Sequence, residues 1–334
     1  NLKKRNQKKR IVEVLGKSVE KKIIPIEEKT ISQLYNLWLN NGYDSKDDID
    51  IKEIHMSGIE KAVSEIKLYT YEDENSINSS CITVYDKKLK KIAGLGEVCT
   101  KSDSRGKGFA KDLCRIAKED FFSNSESEGI FLGTVNPLAQ KIYENLGWVQ
   151  IPNSKVMFNS KRNLTFEEFI HNYYGHSKSL EINEGSPKYR IPIIPYFFSE
   201  ISSMKVDINV GIIGNNYSSM CLSTYNKFDK LSSEAGDWFV VSDHENKIYA
   251  TSSYICDNNR NFRIDGTYKE NFKNEFKKLI SYNIHKLNEI NSKIIYSHIL
   301  DEDKEKIEIF NQLGFKKKRN IKIQERAFSE LILE

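Results

Sequence analysis

The sequence predicts a mixed α/β protein made of two related units, each a twisted and mostly antiparallel sheet flanked by helices. Strand-like runs alternate with amphipathic helical stretches, and the second half of the chain weakly repeats the first. A chain of 334 residues is long enough for two domains. With 39% hydrophobic and 29% charged residues, the composition is that of a globular protein.

The composition predicts the cellular compartment and argues against a membrane span and a metal site. The longest uncharged run, 208–226, is interrupted throughout by Asn, Ser and Gly, so we expect no membrane span. Five cysteines without close pairs fit a reducing compartment and predict a cytoplasmic protein. No spacing of the six histidines favours a metal site, and none is expected.

The positive charge is concentrated at the amino end. Residues 1–22 carry nine Lys/Arg against Glu13 and Glu20, which leaves the remainder of the chain at −3. Such a basic arm can contact nucleic acid or an acidic partner. A solvated tract is the more common outcome, so nucleic acid is not an expected partner.

The first elements are two helices and a meander. Apolar residues at helical spacing predict a helix over 28–41 that Gly42 ends, and a second short helix is expected over 52–66. Three strand-like runs follow, at 67–71, 81–85 and 91–100.

The next elements alternate helix and strand. A helix over 107–122 leads to a buried strand at 130–135. Asn136 is a good N-cap for the next helix, with Pro137 at its first position and Gly147 after its end. A further strand is expected over 148–158.

The domain boundaries are predicted from a change in residue composition along the chain. The predicted division is a basic arm at 1–22, a first domain at 23–160, a linker at 161–200 and a second domain at 201–334. The linker is expected to hold a helix around 165–174 and then a Pro-rich segment.

The second domain repeats patterns of the first. Residues 239–243 and 247–256 resemble 82–86 and 91–100, and 309–315 resemble 142–148. A helix over 272–287 would be the long helix of this second copy.

One motif predicts an anion site. Arg105, Gly108 and Ala110 stand at the start of a helix that follows a strand. Unpaired N–H groups of a first helical turn and the helix dipole favour a pyrophosphate there. The residues that would surround it are Arg105, Gly106, Lys107, Gly108, Phe109 and Ala110. The alternative is a glycine-rich turn with no ligand, and the spacing is not that of a Walker A loop.

The strand before this motif offers a second contact. Val98, Cys99 and Thr100 close the strand. If it diverges from the strand at 130–135, its free backbone groups would pair with a linear ligand that carries amides, such as pantetheine.

Tyr143 is the candidate proton donor. A phenol with a pKa of about 10 can protonate a departing thiolate at neutral pH. The alternative is an aromatic residue that only closes the core.

Residues 91–148 resemble the GNAT superfamily of coenzyme A-dependent N-acyltransferases. The shared signatures are R-x-x-G-x-G/A, here Arg105, Gly108 and Ala110, and N-x-x-A-x-x-x-Y-x-x-x-G-aromatic. The second signature comprises Asn136, Ala139, Tyr143, Gly147 and Trp148.

The resemblance implies acetyl-CoA in a gap of a sheet split by a bulge, with its pyrophosphate on the amides of 105–110. It implies Tyr143 as general acid and places Asn136 and Ala139 at the cofactor. Family members often use a carboxylate near the preceding strand as base, and Glu97 stands there. A shift of one residue would turn its side chain to the other face, so Glu53 and His55 stay as weaker options.

The second copy departs from these signatures. Phe310 stands in place of Tyr143, Asp303 of Asn136 and Lys306 of Ala139, and residues 263–266 would be a remnant of the phosphate loop. Phenylalanine cannot donate a proton, so this copy is expected to be non-catalytic.

The function these observations favour is direct transfer of an acetyl group from acetyl-CoA to a primary amine of a small molecule. The alternatives are a coenzyme A-binding scaffold or sensor, or an acetyltransferase that acts on a protein or peptide. The sequence identifies neither the acceptor nor the oligomeric state.

Overall fold

The chain divides between Phe166 and Glu167 into two compact units. The computed structural model describes residues 12–14, 17–41, 56–74, 76–175, 179–199, 206–214, 221–257 and 259–334. Among these residues no helix has both the length and the hydropathy needed to cross a bilayer.

The N-terminal unit is a mixed sheet with helices packed on it. Its elements are β1 (Val12–Val14), β2 (Lys17–Ile23), α1 (Glu28–Leu39), β3 (Ser64–Glu72), β4 (Ile77–Asp86), β5 (Ile92–Thr100), α2 (Phe109–Phe122), β6 (Gly129–Gly133), α3 (Pro137–Glu144), β7 (Val149–Gln150) and β8 (Val156–Ser160). The strand order is β1-β2-β3-β4-β5-β6-β8-β7, and among these described strands β5 and β6 are the one parallel pair. This architecture confirms the predicted α/β class.

Most predicted elements of this unit are present, with two differences. The expected helix at 52–66 is wrong where it is described, because 58–63 form turns and β3 begins at Ser64. Gly58 has a φ of +79°, which a continuing helix does not accommodate. Residues 52–55 and Gly42 lie outside the described residues. The strand expected at 148–158 is interrupted by a turn between β7 and β8.

The core of the N-terminal unit lies between α2 and the sheet. Leu113, Cys114 and Ala117 of α2 are fully buried, as are Tyr69 and Ile130 of the strands. Their spacing along α2 is the helical periodicity from which the element was predicted.

The C-terminal unit has the same plan. Its elements are α4 (Phe166–Tyr174), β9 (Glu181–Glu184), α5 (Ile193–Phe198), β10 (Val206–Asp207), β11 (Ile212–Ile213), α6 (Ser223–Ser233), β12 (Gly236–Ser242), β13 (Ile248–Cys256), β14 (Asn261–Tyr268), α7 (Lys273–Glu289), β15 (Ile294–Leu300), α8 (Lys304–Gln312), β16 (Phe315–Ile323) and β17 (Arg326–Leu333). The main sheet has the order β16-β17-β15-β14-β13-β12-β9, and of the strands that the structure describes there β14 and β15 alone run parallel.

The range 161–200, expected to connect the domains, supplies elements of the C-terminal unit. Strand β9 pairs antiparallel with β12, where Glu184 lies opposite Phe239. Its short polar pattern, with no run of β-branched residues, is why sequence reasoning did not identify it as a strand.

The repeat is real, but part of its predicted alignment was wrong. The parallel pair β14–β15 corresponds to β5–β6, so β13 corresponds to β4 and β12 to β3. Residues 239–243 were therefore matched to β4 instead of β3, and residues 247–256 were matched to β5 instead of β4. A strand followed by a charged turn recurs within each meander, and this local pattern gave the false match. The alignment of Phe310 with Tyr143, 167 residues apart, fits the equivalence of α8 and α3.

The predicted remnant of the phosphate loop was also wrong. Residues 263–266 lie inside β14. In the N-terminal unit, residues 105–108 separate a 3-10 helix, Ser102–Ser104, from α2. In the C-terminal unit the corresponding 3-10 helix, Glu270–Phe272, continues directly into α7 at Lys273. The C-terminal unit therefore has no residues between this 3-10 helix and α7 that could form such a loop.

Gly266 is required by close packing of β14 on β13. A Cβ at this position would lie 2.2 Å from the backbone oxygen of Thr251. We expect Gly266→Ala to lower the free energy of unfolding by about 1–3 kcal/mol, because the strands must separate to admit the methyl group. Chemical denaturation of the full chain measures this loss.

The exposed Ala235, with a φ of +58°, provides the opposite exchange as a control. Ala235→Gly should change the free energy of unfolding by less than about 1 kcal/mol, since glycine accepts this backbone conformation. Equal losses in both variants would contradict the packing argument.

Candidate active site

The two parallel strands of the N-terminal unit diverge. Their pairing covers Ile92, Ala93 and Gly94 of β5 and ends opposite Phe131 of β6. Strand β5 nevertheless continues to Thr100. We call the opening between β5 beyond Gly94 and β6 the N-terminal cleft. Pairing of β5 with a linear ligand requires that the two strands diverge, and this divergence is present.

A bulge in β5 causes this divergence. Ile82 of β4 lies opposite Gly96, while Ser80 lies opposite Cys99, so β5 has an extra residue between these pairs. Within the bulge Glu97 has a φ of +51°. This left-handed conformation is uncommon for residues other than glycine, and a bulge of this kind turns the strand.

Buried side chains hold the bulge in place. The indole Nε1–H of Trp38 in α1 donates to Ser80 Oγ at 3.1 Å, and that hydroxyl donates to the backbone oxygen of Glu97 at 2.9 Å. Ser80 and Trp38 are both completely buried. In the sequence Trp38 is one of the apolar residues at helical spacing that predict α1, and Ser80 was missed because no local pattern reveals that its partner is a bulge.

The predicted anion site is an exposed loop with two left-handed glycines. Gly106 has a φ of +77° and Gly108 one of +83°, and a Cβ on either would contact nothing within 4 Å. Glycine is needed here for its backbone conformation and not to make room. Gly108 is the N-cap of α2 and provides no side-chain cap, so the N–H groups of the first turn are oriented for an anion.

Arg105 and Lys107 have different positions in this loop. Arg105 Nε donates to the backbone oxygen of Thr100 at 3.2 Å, which ties the loop to the end of β5. Lys107 is exposed. Arg105 therefore shapes the loop in addition to adding positive charge near it.

Tyr143 lies deeper than its predicted role required. Its side chain belongs to the main core of the unit and is 5% exposed. Burial raises its pKa well above 10, and Cys114 and Cys81 raise it further. At neutral pH the phenol is therefore protonated.

Cys81 interacts electrostatically with both Glu97 and Tyr143. Cys81 is buried, and burial, the neighbouring Cys114 and the carboxylate of Glu97 raise the pKa of its thiol. Cys81 in turn raises the pKa of Tyr143. Glu97 thus acts electrostatically on the Cys81 thiol, and Cys81 acts on the phenol of Tyr143. Glu53 and His55, the weaker candidates, lie outside the described residues.

The first turn of α3 is built as the sequence indicated. Asn136 Oδ1 accepts from the N–H groups of Leu138 at 2.9 Å and Ala139 at 3.4 Å, and Pro137 follows the cap. Ala139 is half-buried and packs against the core that contains Tyr143. A contact of Asn136 or Ala139 with a cofactor stays a prediction.

An open cavity of about 530 Å³ lies along α1. Glu28, Ile31 and Tyr35 of the helix line it, together with Ser57. The same helix contacts the bulge, because Trp38 bonds Ser80 there. Within the described part of the chain, no three His, Cys, Asp or Glu side chains form a group that could hold a metal ion.

Comparison with known proteins gives a resemblance of fold. No protein-family model matches the sequence, and no curated protein matches it. Solved structures that resemble the chain include a GNAT-family acetyltransferase from Staphylococcus aureus Mu50, with 18% identity, 47% of this chain and 100% of that chain covered, and a TM-score of 0.36.

A GNAT-family acetyltransferase from Streptococcus pneumoniae is 11% identical over 47% of this chain and 100% of its own, with a TM-score of 0.38. A ribosomal-protein-S5-alanine acetyltransferase from Vibrio fischeri is 13% identical over 47% and 93%, with a TM-score of 0.37. Two of these three structures are described as GNAT-family acetyltransferases, and at these identities the similarity concerns the fold alone.

Ser80 can be tested as the residue that fixes the bulge. Ser80→Ala leaves the buried Trp38 indole and the Glu97 carbonyl without their shared partner, which we expect to cost about 1–3 kcal/mol of unfolding free energy. The control is Ser123→Ala, which removes an exposed hydroxyl that donates to the backbone oxygen of Asp120. Denaturant unfolding measures both, and a Ser80→Ala loss no larger than that of the control would refute the role.

Proposed function

We propose that the N-terminal unit transfers an acetyl group from acetyl-CoA to a primary amine of a small molecule. The observation that carries this proposal is the N-terminal cleft, which lies in the same unit as the glycine loop and Tyr143. Strand β5 leaves its partner at Gly94, ends beside the loop of Gly106 and Gly108, and belongs to the unit whose core holds a protonated Tyr143.

The cleft and loop suit the two parts of coenzyme A. The N–H groups at 105–110 would hold the pyrophosphate, because the start of a helix attracts negative charge. Val98, Cys99 and Thr100 would offer backbone groups of β5 to the amides of pantetheine. Pairing of an added chain to an exposed strand supplies affinity in the same way.

The transfer itself forms one bond and breaks one. The amine nitrogen attacks the thioester carbon, the new C–N bond forms, and the C–S bond breaks as the thiolate leaves. Tyr143 donates its hydroxyl proton to that sulfur. Glu97 accepts the proton that the nitrogen loses, and exchange with solvent restores both groups.

The acceptor would approach from α1. The cavity along this helix carries the carboxylate of Glu28 together with aliphatic and hydroxyl side chains, which suits a positively charged small molecule with an apolar part. This placement supports a small-molecule amine over a folded protein as acceptor.

Tyr143→Phe tests the acid. We expect kcat to fall roughly 100-fold, the lower end of the range for general acid catalysis, while the affinity for coenzyme A is retained. Release of free thiol from acetyl-CoA, measured against a panel of amines, peptides and aminoglycosides, gives the rate. Tyr85→Phe is the control, because it removes a buried hydroxyl from the same core at the end of β4.

An unchanged rate in Tyr143→Phe would exclude the tyrosine as acid. If the wild type binds coenzyme A and no acceptor of the panel gives turnover, the unit is a coenzyme A-binding scaffold and the proposed activity fails.

Glu97→Gln tests the base. The amide keeps the size of the side chain and cannot accept the proton, so we expect kcat to fall by at least about 10-fold with little change in stability. The same exchange at the exposed Glu126 is the control. Wild-type rates in Glu97→Gln would assign the proton to another group or to water.

A further inference from the structure

The C-terminal unit has its own pair of diverging strands. Strand β14 pairs with β15 from Asn261 to Arg263, and β14 then continues to Tyr268 paired with β13 but not with β15. We call the opening beyond Arg263 the C-terminal cleft. It corresponds in topology to the N-terminal cleft, so its contents can be compared directly.

Residues 206–210 lie across this cleft and bond to β14. The N–H of Ile208 donates to Asp265 Oδ2 at 2.7 Å. Asn209 Nδ2 donates to the backbone oxygen of Arg263 at 3.0 Å, and Arg263 Nε donates to Asn209 Oδ1 at 2.7 Å. The segment uses both backbone and side-chain groups to bond one wall of the cleft.

The same segment packs on the opposite wall. Val206 forms a small buried cluster with Leu300 at the end of β15 and Phe328 of β17, and Ile208 packs against it. All three cluster residues are at most 2% exposed. Residues 206–210 therefore bridge the two diverging strands.

A lysine of α8 crosses the remaining space. Lys306 takes the place of Ala139 in the equivalent helix and is 2% exposed. Its Nζ donates to the backbone oxygens of Val206 at 3.0 Å and Gly266 at 2.7 Å, and forms an ion pair with Asp265. One ammonium group thus links the segment, β14 and α8.

The charged groups around Lys306 have all their hydrogen-bond partners only when residues 206–210 occupy the C-terminal cleft. Asp207 accepts from Ser253 Oγ at 3.2 Å, and burial beside Asp265 raises the pKa of Asp207 to about 7 although Lys306 opposes the shift. Asp303, the N-cap of α8, accepts from the N–H of Lys306. A buried ion pair is tolerated only when its remaining hydrogen bonds are made, and the Val206 carbonyl supplies one of them.

We infer that the C-terminal cleft binds residues 206–210 of its own chain as an internal ligand, clasped by Lys306 and Asp265. This segment is the first strand and the turn of a short hairpin in which β10 pairs with β11, and it occupies the opening between the two diverging strands. If the proposed function of the N-terminal unit is correct, one chain then binds one coenzyme A.

Hydrogen exchange of the full chain tests the internal ligand. The N–H groups of Ile208, Asn209 and Val210 all have carboxylate acceptors, so the wild type should exchange them at least roughly 10-fold more slowly than an unstructured peptide. Lys306→Met should accelerate this exchange. Lys304→Met, an exposed lysine one half-turn earlier, should leave it unchanged.

A second variant covers the case in which Lys306→Met does not fold. Asn209→Ala removes the amide that bonds Ser253 and Arg263, and it should also accelerate exchange at 206–210, whereas Asn311→Ala on exposed α8 surface should not. Exchange of the wild-type segment at the unstructured rate, or no response to either variant, would overturn the inference.

Titration of the wild type with coenzyme A separates this inference from the proposed function. One site per chain agrees with both. Two sites would overturn the closed C-terminal cleft. No binding would refute the proposed function, and the exchange rates would then decide on the internal ligand by themselves.

Discussion

The architecture of the N-terminal unit depends on the left-handed backbone of Glu97. This residue inserts the bulge that separates β5 from β6, and its carbonyl is held by Ser80, which Trp38 holds in turn. Helix α1, the bulge and the cleft are therefore one connected structure. A conformation that costs free energy locally persists because buried hydrogen bonds around it define it.

Sequence reasoning succeeded where the structure is determined locally. The cap of Asn136, the glycines at 106 and 108 and the apolar face of α2 each require particular residue types at short spacing. It failed where the decisive partner is distant along the chain. Nothing near Ser80 indicates that it bonds the carbonyl of Glu97, and nothing in the polar sequence of β9 indicates that β12 pairs with it.

The two units show how one fold can keep or lose a ligand site. The C-terminal unit retains the diverging strands but has no glycine loop, has Phe310 in place of a phenol, and has Lys306 in place of Ala139. Burying a lysine and two aspartates is unfavourable unless each finds partners. Their mutual satisfaction gives this copy a stable core where the other copy has an opening.

The open surroundings of Gly106 and Gly108 carry a consequence for what the loop can accept. A Cβ added to either glycine would meet no atom within 4 Å, so only the positive φ restricts these two positions. Even alanine would be strained there through its backbone, although its side chain would have space.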